Sequence, residues 1–166
     1  VTERLGADIV YSRPLTVRDI PAEVQRLGSM LDQAESATKA AAAMHARIEA
    51  LEGRYALQKP VRVFIEVGSK PLYTIGSDPL LTDALRLCGA ENVYADSGIP
   101  APRVSVESVL VKNPQLLIMT EGGGSTAEAT LQRWAKSGLP AALLGHVHVA
   151  DPDALLPQLR HAGALF

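Results

Sequence analysis

The sequence predicts an α/β fold, a parallel sheet with helices on both faces, and three observations predict it. Short β-branched apolar runs, Val61 to Val67 and Leu116 to Thr120, alternate with longer stretches of helical spacing. Loops marked by Gly and Pro separate each run from the helix after it. The chain's 166 residues, 47% of them hydrophobic, suffice for one packed domain with an appendage. Alternation of this kind implies right-handed crossovers and a three-layer αβα arrangement.

Taken in order, Asp8 to Tyr11 is a short apolar run that reads as a strand. Val17, Ile20, Val24, Leu27 and Leu31 then step by three and four, so they share one helical face. Pro21 requires that helix to begin only a few residues earlier, near Thr16 or Asp19. A strand and helix with no partner strand ahead of them read as the end of a larger unit, so further sequence is expected before residue 1. From Ala34 to Tyr55 runs an alanine-rich stretch of strong helix formers, with one apolar stripe of Met44, Ile48, Leu51 and Tyr55. Such a helix is about 30 Å long. It is either an ordinary surface helix or a rigid connector between two lobes.

Val61, Val63, Ile65 and Val67 alternate with Arg62, Phe64 and Glu66 in a strand read as mostly buried. Gly68, Pro71 and Gly76 can continue neither strand nor helix, and they hold Lys70, Leu72, Tyr73 and Thr74 on a shaped loop. That loop lies at the carboxyl end of the strand, where open parallel sheets place ligands. Ser77 offers a cap with Pro79 in the first turn; Leu81, Ala84, Leu85 and Cys88 follow at helical spacing until Gly89. Ser105 caps a short helix, Val106 to Lys112, that Asn113 and Pro114 stop. Leu116 to Thr120 is the next buried strand. After Gly122, Gly123 and Gly124, the capping-box spacing of Ser125 and Glu128 starts a helix that runs to about Ser137. Ala141 to Leu144 reads as a third short strand, and a last helix begins near Asp153 with Pro157 in its first turn.

Charge and composition narrow the function classes. A net charge of -2 gives no electrostatic footprint for nucleic acid or an acidic membrane, and no apolar stretch has the length of a bilayer span. One Cys excludes an internal disulfide. The glycine triplet could cradle a phosphate, which keeps a nucleotide-using α/β enzyme open, but no Lys-Ser or Lys-Thr follows it, and a tight turn explains it as well. His146 and His148, two apart, would share one face of a strand as a metal site requires, yet no third ligand is evident. Cys88 is expected to be a small buried hydrophobe and Trp134 a core residue. Tyr73, on no helical or strand stripe, fits ligand contact or packing under a lid equally. Glu107 in a first helical turn is favoured by the macrodipole without any function. No matched nucleophile, base and orienter is visible, which argues against catalysis.

The segments VFIEVGSKPLYTIG and LLTDALRLCGAENVYADSGIPAPRVSVESVLVKNPQLLIMT, then the glycine turn and a helix carrying Trp134, resemble the carboxyl-terminal lobe of vitamin B12 (cobalamin) periplasmic binding proteins. These are substrate-binding subunits of ABC importers. The resemblance implies a receptor, not an enzyme, with two α/β lobes joined by a rigid helix and no cofactor, the corrinoid being the transported ligand. It implies residues 1–33 as the end of the first lobe, 34–56 as the connecting helix and 57–166 as the second lobe. Tyr73 matches an aromatic set against the corrin, presented by Gly68, Pro71, Thr74 and Gly76, with Ala101 and Gly122 on the same cleft wall. Ala101 stands where members typically carry Trp, which leaves haem or an iron-siderophore as alternative ligands of the same class. His146, His148 and Asp151 are the candidates for the polar contacts expected of the final loop. Glu107 matches a carboxylate that docks onto arginines of the membrane permease. The implied location is the periplasm, free or lipid-anchored, and an exposed interlobe surface implies a tendency to form homodimers.

Overall fold

The computed structural model describes residues 9–120 and 126–150. Its sheet is built on β1 (Val61–Ser69), which pairs in parallel with β3 (Ala90–Asn92) on one side and β4 (Leu116–Thr120) on the other; β4 pairs in parallel with β5 (Val147–Ala150). Among the described residues, the only antiparallel member of the sheet is β2 (Leu72–Thr74), which folds back on the end of β1.

Six helices accompany these strands among the described residues: α1 (Asp19–Met30), α2 (Ala34–Tyr55), α3 (Pro79–Leu87), α4 (Val106–Lys112), α5 (Ala127–Lys136) and α6 (Pro140–Leu143). The fold is therefore the mixed α/β arrangement, with a mostly parallel sheet, that the alternation of runs predicts. Register places Phe64, Leu117 and Val147 side by side on one sheet face, with Glu66, Met119 and Val149 a step further on. Against that face pack Val109 of α4 and Trp134 of α5, together with Tyr94 and Leu139. On the other face Val63 and Ile65 are buried, Ile118 is half-buried and His148 is exposed.

Local chemistry explains the boundaries. In α4 the Ser105 side chain accepts from the Ser108 N–H at 3.1 Å, as its position predicts, and Asn113 ends the helix in a left-handed conformation, φ 45°. The α1–α2 pair packs antiparallel with backbones close together, because Gly28 lies where any Cβ would come within 2.2 Å of the Ala37 Cβ. Ala37, Ala41 and Ile48 are the buried residues of α2, on the same face as the expected Met44, Leu51 and Tyr55 stripe, and α2 has the bounds that its composition predicts.

Several expectations are corrected. Residues 9–11 form no strand; the rest of that run, Asp8, lies outside the described residues. Ser77 does not cap α3: Asp78 does, accepting from the Leu81 N–H at 2.8 Å, because Pro79 occupies the first helical position and the cap must directly precede it. Cys88 is exposed: it is the C-cap that follows Leu87, where the backbone leaves helical geometry. Ala141 to Leu144 is not a strand; Pro140 starts the short helix α6 there, and the third core strand is β5. The residues placed on a loop after β1 instead form the β1–β2 hairpin, and β3 is an additional strand. The cap of α5 is Thr126, accepting from the Ala129 N–H at 3.2 Å. The triplet Gly122 to Gly124, Ser125, Asp151 and the helix expected near Asp153 lie outside the described residues.

Candidate functional site

The carboxyl end of β1 carries the candidate site. A β-bulge between Glu66 and Gly68 bends the strand, Ser69 pairs with Leu72, and the chain reverses through a cis Lys70–Pro71 bond. Gly68 then lies opposite Tyr73, and the Tyr73 Cδ2 is 3.8 Å from where a Gly68 Cβ would stand. Tyr73 is exposed at the rim, while its neighbours Leu72 and Thr74 point into the molecule.

A second segment, 99–104, runs antiparallel beside this hairpin. The Val104 N–H donates to the Leu72 carbonyl at 3.0 Å, Thr74 N–H to Pro102 O at 3.2 Å, Gly76 N–H to Pro100 O at 2.7 Å and Ser77 N–H to Ile99 O at 3.0 Å. Residues 72–77 and 99–104 therefore form a two-stranded ribbon. Pro100 and Pro102, which have no N–H to give, serve it with their carbonyls. Gly76 is required under this strap: a Cβ there would meet the Ile99 carbonyl at 2.1 Å and the Ser97 Oγ at 2.2 Å.

Two buried polar groups hold the ribbon to the sheet. The Thr74 hydroxyl donates to the Ile65 carbonyl at 2.6 Å. The Asn92 amide donates to the Ile75 carbonyl at 2.8 Å and accepts from the Tyr94 N–H at 3.0 Å. Beneath the rim, Glu66 is buried and accepts from Trp134 Nε1 at 2.5 Å and from the Arg133 guanidinium, which itself lies 4.9 Å from the Trp134 ring centre. Trp134 is fully buried and edge-on to Phe64, 5.5 Å between centroids, which makes it the core residue its helical position predicts.

Of the sequence-predicted residues, Gly68, Pro71, Tyr73, Thr74, Gly76 and Ala101 come together in this ribbon. Tyr73 and Ala101 face solvent; Thr74 and Gly76 are buried supports. Glu107 sits apart, exposed in the first turn of α4, where its own backbone N–H and the Ser105 hydroxyl hold its carboxyl below the usual range. His146 precedes β5 and His148 lies on it; both are exposed and line a groove at the amino ends of the strands, with Gln115 and Asn113. No cluster of three potential metal ligands occurs among the described residues. Nor is any helix among them long and apolar enough to cross a membrane.

The sequence reading passed over Glu66, Asn92 and Arg103. Glu66 alone carried a signal, a carboxylate inside an otherwise apolar strand. Asn92 lies on a strand too short for periodicity to reveal. Arg103 pairs with Tyr73 across the ribbon, a long-range contact that no local pattern encodes.

The chain is 34% identical over 116 residues to the vitamin B12-binding protein of Yersinia pestis (strain Pestoides F), an alignment covering 70% of this chain and 41% of that protein. It thus spans about two-fifths of the length of the curated relatives it matches. The crystal structure of the periplasmic vitamin B12-binding protein of Vibrio cholerae superposes with a TM-score of 0.75 at 26% identity, covering 97% of this chain and 67% of that one. The periplasmic haem-binding protein of Roseiflexus sp. RS-1 shares the fold, with a TM-score of 0.78 at 19% identity over 98% of this chain and 65% of that one. These neighbours are binding proteins, so the reading of a nucleotide-using enzyme gives way to theirs. Residues 2–154 match the model of the periplasmic binding protein family, and the chain belongs to that family.

Proposed function

We propose that this chain supplies the second lobe of an ABC-importer substrate-binding protein, which takes cobalamin or a related corrinoid into an interlobe cleft and delivers it to a membrane permease. The observation that carries this reading is the match to vitamin B12-binding proteins, joined to an exposed aromatic, Tyr73, on a braced rim at the carboxyl end of the sheet. An aromatic edge or face offers a flat macrocycle about 0.5 to 1.5 kcal/mol beyond simple burial of area. Gly68, Pro71, Thr74 and Gly76 set its position, and Ala101 belongs to the same wall. In this reading α2 connects the lobes, residues 1–33 close the first and 57–166 form the second. The protein works in the periplasm, free or lipid-anchored.

Delivery needs a docking surface. Glu107 suits one: it is exposed, its carboxyl is held below the usual carboxylate range, and it stands three residues beyond the strap. It would pair with arginines of the permease, where a rim carboxylate chiefly sets orientation and encounter rate.

Calorimetric titration with cyanocobalamin tests the reading, using this chain and a form extended by a first lobe, with Tyr73→Ala as control. Binding by the extended form that weakens in the variant supports the corrinoid receptor. Absence of heat from both forms moves the ligand to haem or an iron-siderophore.

A further inference from the structure

We infer that Arg103, paired with Tyr73 across the ribbon, reads an anionic substituent on the edge of the ligand that Tyr73 faces; the inference rests on the receptor reading above. Tyr73 and Arg103 form an antiparallel bridge flanked by the bonds Thr74 N–H to Pro102 O and Val104 N–H to Leu72 O. That pattern makes them a non-hydrogen-bonded pair, the register in which opposing side chains stand closest and on the same face. Ala101, two residues before Arg103 and exposed like it, lies on that face too. The ribbon thus presents an aromatic, a cation and a small methyl side chain in one patch.

The charge of Arg103 is unspent. Arg18, Arg26, Arg86 and Arg133 each hold a carboxylate, and Arg62 reaches the Lys112 and Asn113 carbonyls. Arg103, like Arg13, Arg47 and Arg54, has no carboxylate partner among the described residues, and of these four it alone has its backbone fixed opposite Tyr73 by the bridge. Neither ribbon strand, 72–77 or 99–104, contains an acidic residue, and Lys70 at the hairpin tip adds a second exposed cation. A guanidinium is planar and forked, so it matches a carboxylate or phosphate in two parallel bonds. When a ligand covers the patch, water leaves and such a bond strengthens. The ligand class is accordingly a flat macrocycle with carboxylate or phosphate groups at its periphery. Ala101 leaves room for that periphery, and Arg103 selects for its charge.

The test compares two soluble corrinoids on the two-lobed form: dicyanocobyrinic acid, with carboxylates around the ring, and dicyanocobinamide, with amides at those positions. The wild-type protein is expected to favour the acid by about tenfold. Arg103→Gln should weaken the acid far more than cobinamide and so abolish that preference, and Arg103→Lys should keep part of it. A preference that persists in Arg103→Gln, or that is absent from the wild-type protein, overturns the inference. If neither corrinoid binds, the corrinoid reading fails, and haemin against haemin dimethyl ester takes their place. Preference for the free acid that disappears with Arg103→Gln then upholds Arg103 as the anion reader, and equal affinities or no binding overturn it.

Discussion

Two clusters of aromatic and charged side chains lie along β1 and differ in nearly everything but composition. Glu66, Arg133 and Trp134 form a knot under the sheet, with the carboxylate buried and both its oxygens taken. Tyr73 and Arg103 form a pair on the rim, exposed, with no hydrogen-bond or ion-pair partner for either side chain among the described residues. Burying a charge is expensive unless it is paired and hydrogen-bonded, so the knot has to be complete within the protein. The rim pair pays no such cost and keeps its bonding capacity for something outside. Partner satisfaction, rather than residue type, separates the groups that hold this fold from those left with unused bonding capacity at the rim.

Truncation should break that comparison most visibly. Trp134→Ala removes a fully buried indole from between β1 and α5, and urea unfolding should report a loss of about 3 to 5 kcal/mol. Tyr73→Ala, in the same assay, should stay within about 0.5 kcal/mol of wild type, because its ring is exposed. A large loss from Tyr73→Ala would make the rim part of the core.

Next in size is Glu66→Leu. It leaves the Trp134 N–H buried without an acceptor and frees an arginine that is only partly exposed, at a cost of about 3 kcal/mol. Arg103→Gln, the corresponding change on the rim, should leave the unfolding midpoint where it is. Equal effects from the two substitutions would remove the distinction between knot and rim.

Gly76→Ala sharpens the comparison, since Gly76 belongs to the ribbon but faces inward. The added methyl would run into the Ile99 carbonyl and Ser97 Oγ, and the strap must move or the chain lose about 2 kcal/mol. Strap movement also shifts Arg103 relative to Tyr73. The variant is therefore expected to lose ligand affinity as well as stability, a double effect that separates it from Trp134→Ala at matched stability. Unfolding by urea and titration with cyanocobalamin on the same preparations measure both.

The sequence exposes what is local and long. The 22 residues of α2, the β-branched core of β1 and the Ser105 cap of α4 follow from composition, alternation and a single hydroxyl. Strands of three residues, β2 and β3, offer too few positions for alternation to register. The run Ala141 to Leu144 is apolar enough for a strand, but Pro140 presets the first turn of a helix, and proline in that place was the stronger signal. For the site, Tyr73 stood out because it joined no stripe. Its partner Arg103 is thirty positions away and meets it only because four backbone hydrogen bonds join 72–77 to 99–104. Contacts made by backbone geometry across a loop leave no periodic trace.

The smallest stability effect is expected at Glu107, and its smallness is what makes the substitution useful. Its carboxyl is held below the ordinary range by its own backbone N–H and the Ser105 hydroxyl, so the ionised form is favoured by folding. A depressed carboxyl contributes stability above its unfolded pKa and loses it as pH falls through the lower folded value. Relative to Glu107→Gln, the wild-type protein should therefore be slightly more stable at neutral pH, and that advantage should vanish in acid. Thermal melts of both proteins from neutral pH down to about pH 3 check the sign. An advantage that grows on acidification would contradict it. Because the group is fully exposed, water and salt screen the effect, and Glu107→Gln should bind ligand like the wild type. Capture by membranes carrying an ABC permease for the ligand then tests the docking proposed for this carboxylate. Reduced capture by a variant of unchanged fold and ligand affinity supports docking through Glu107, whereas unchanged capture leaves only its interaction with the helix end.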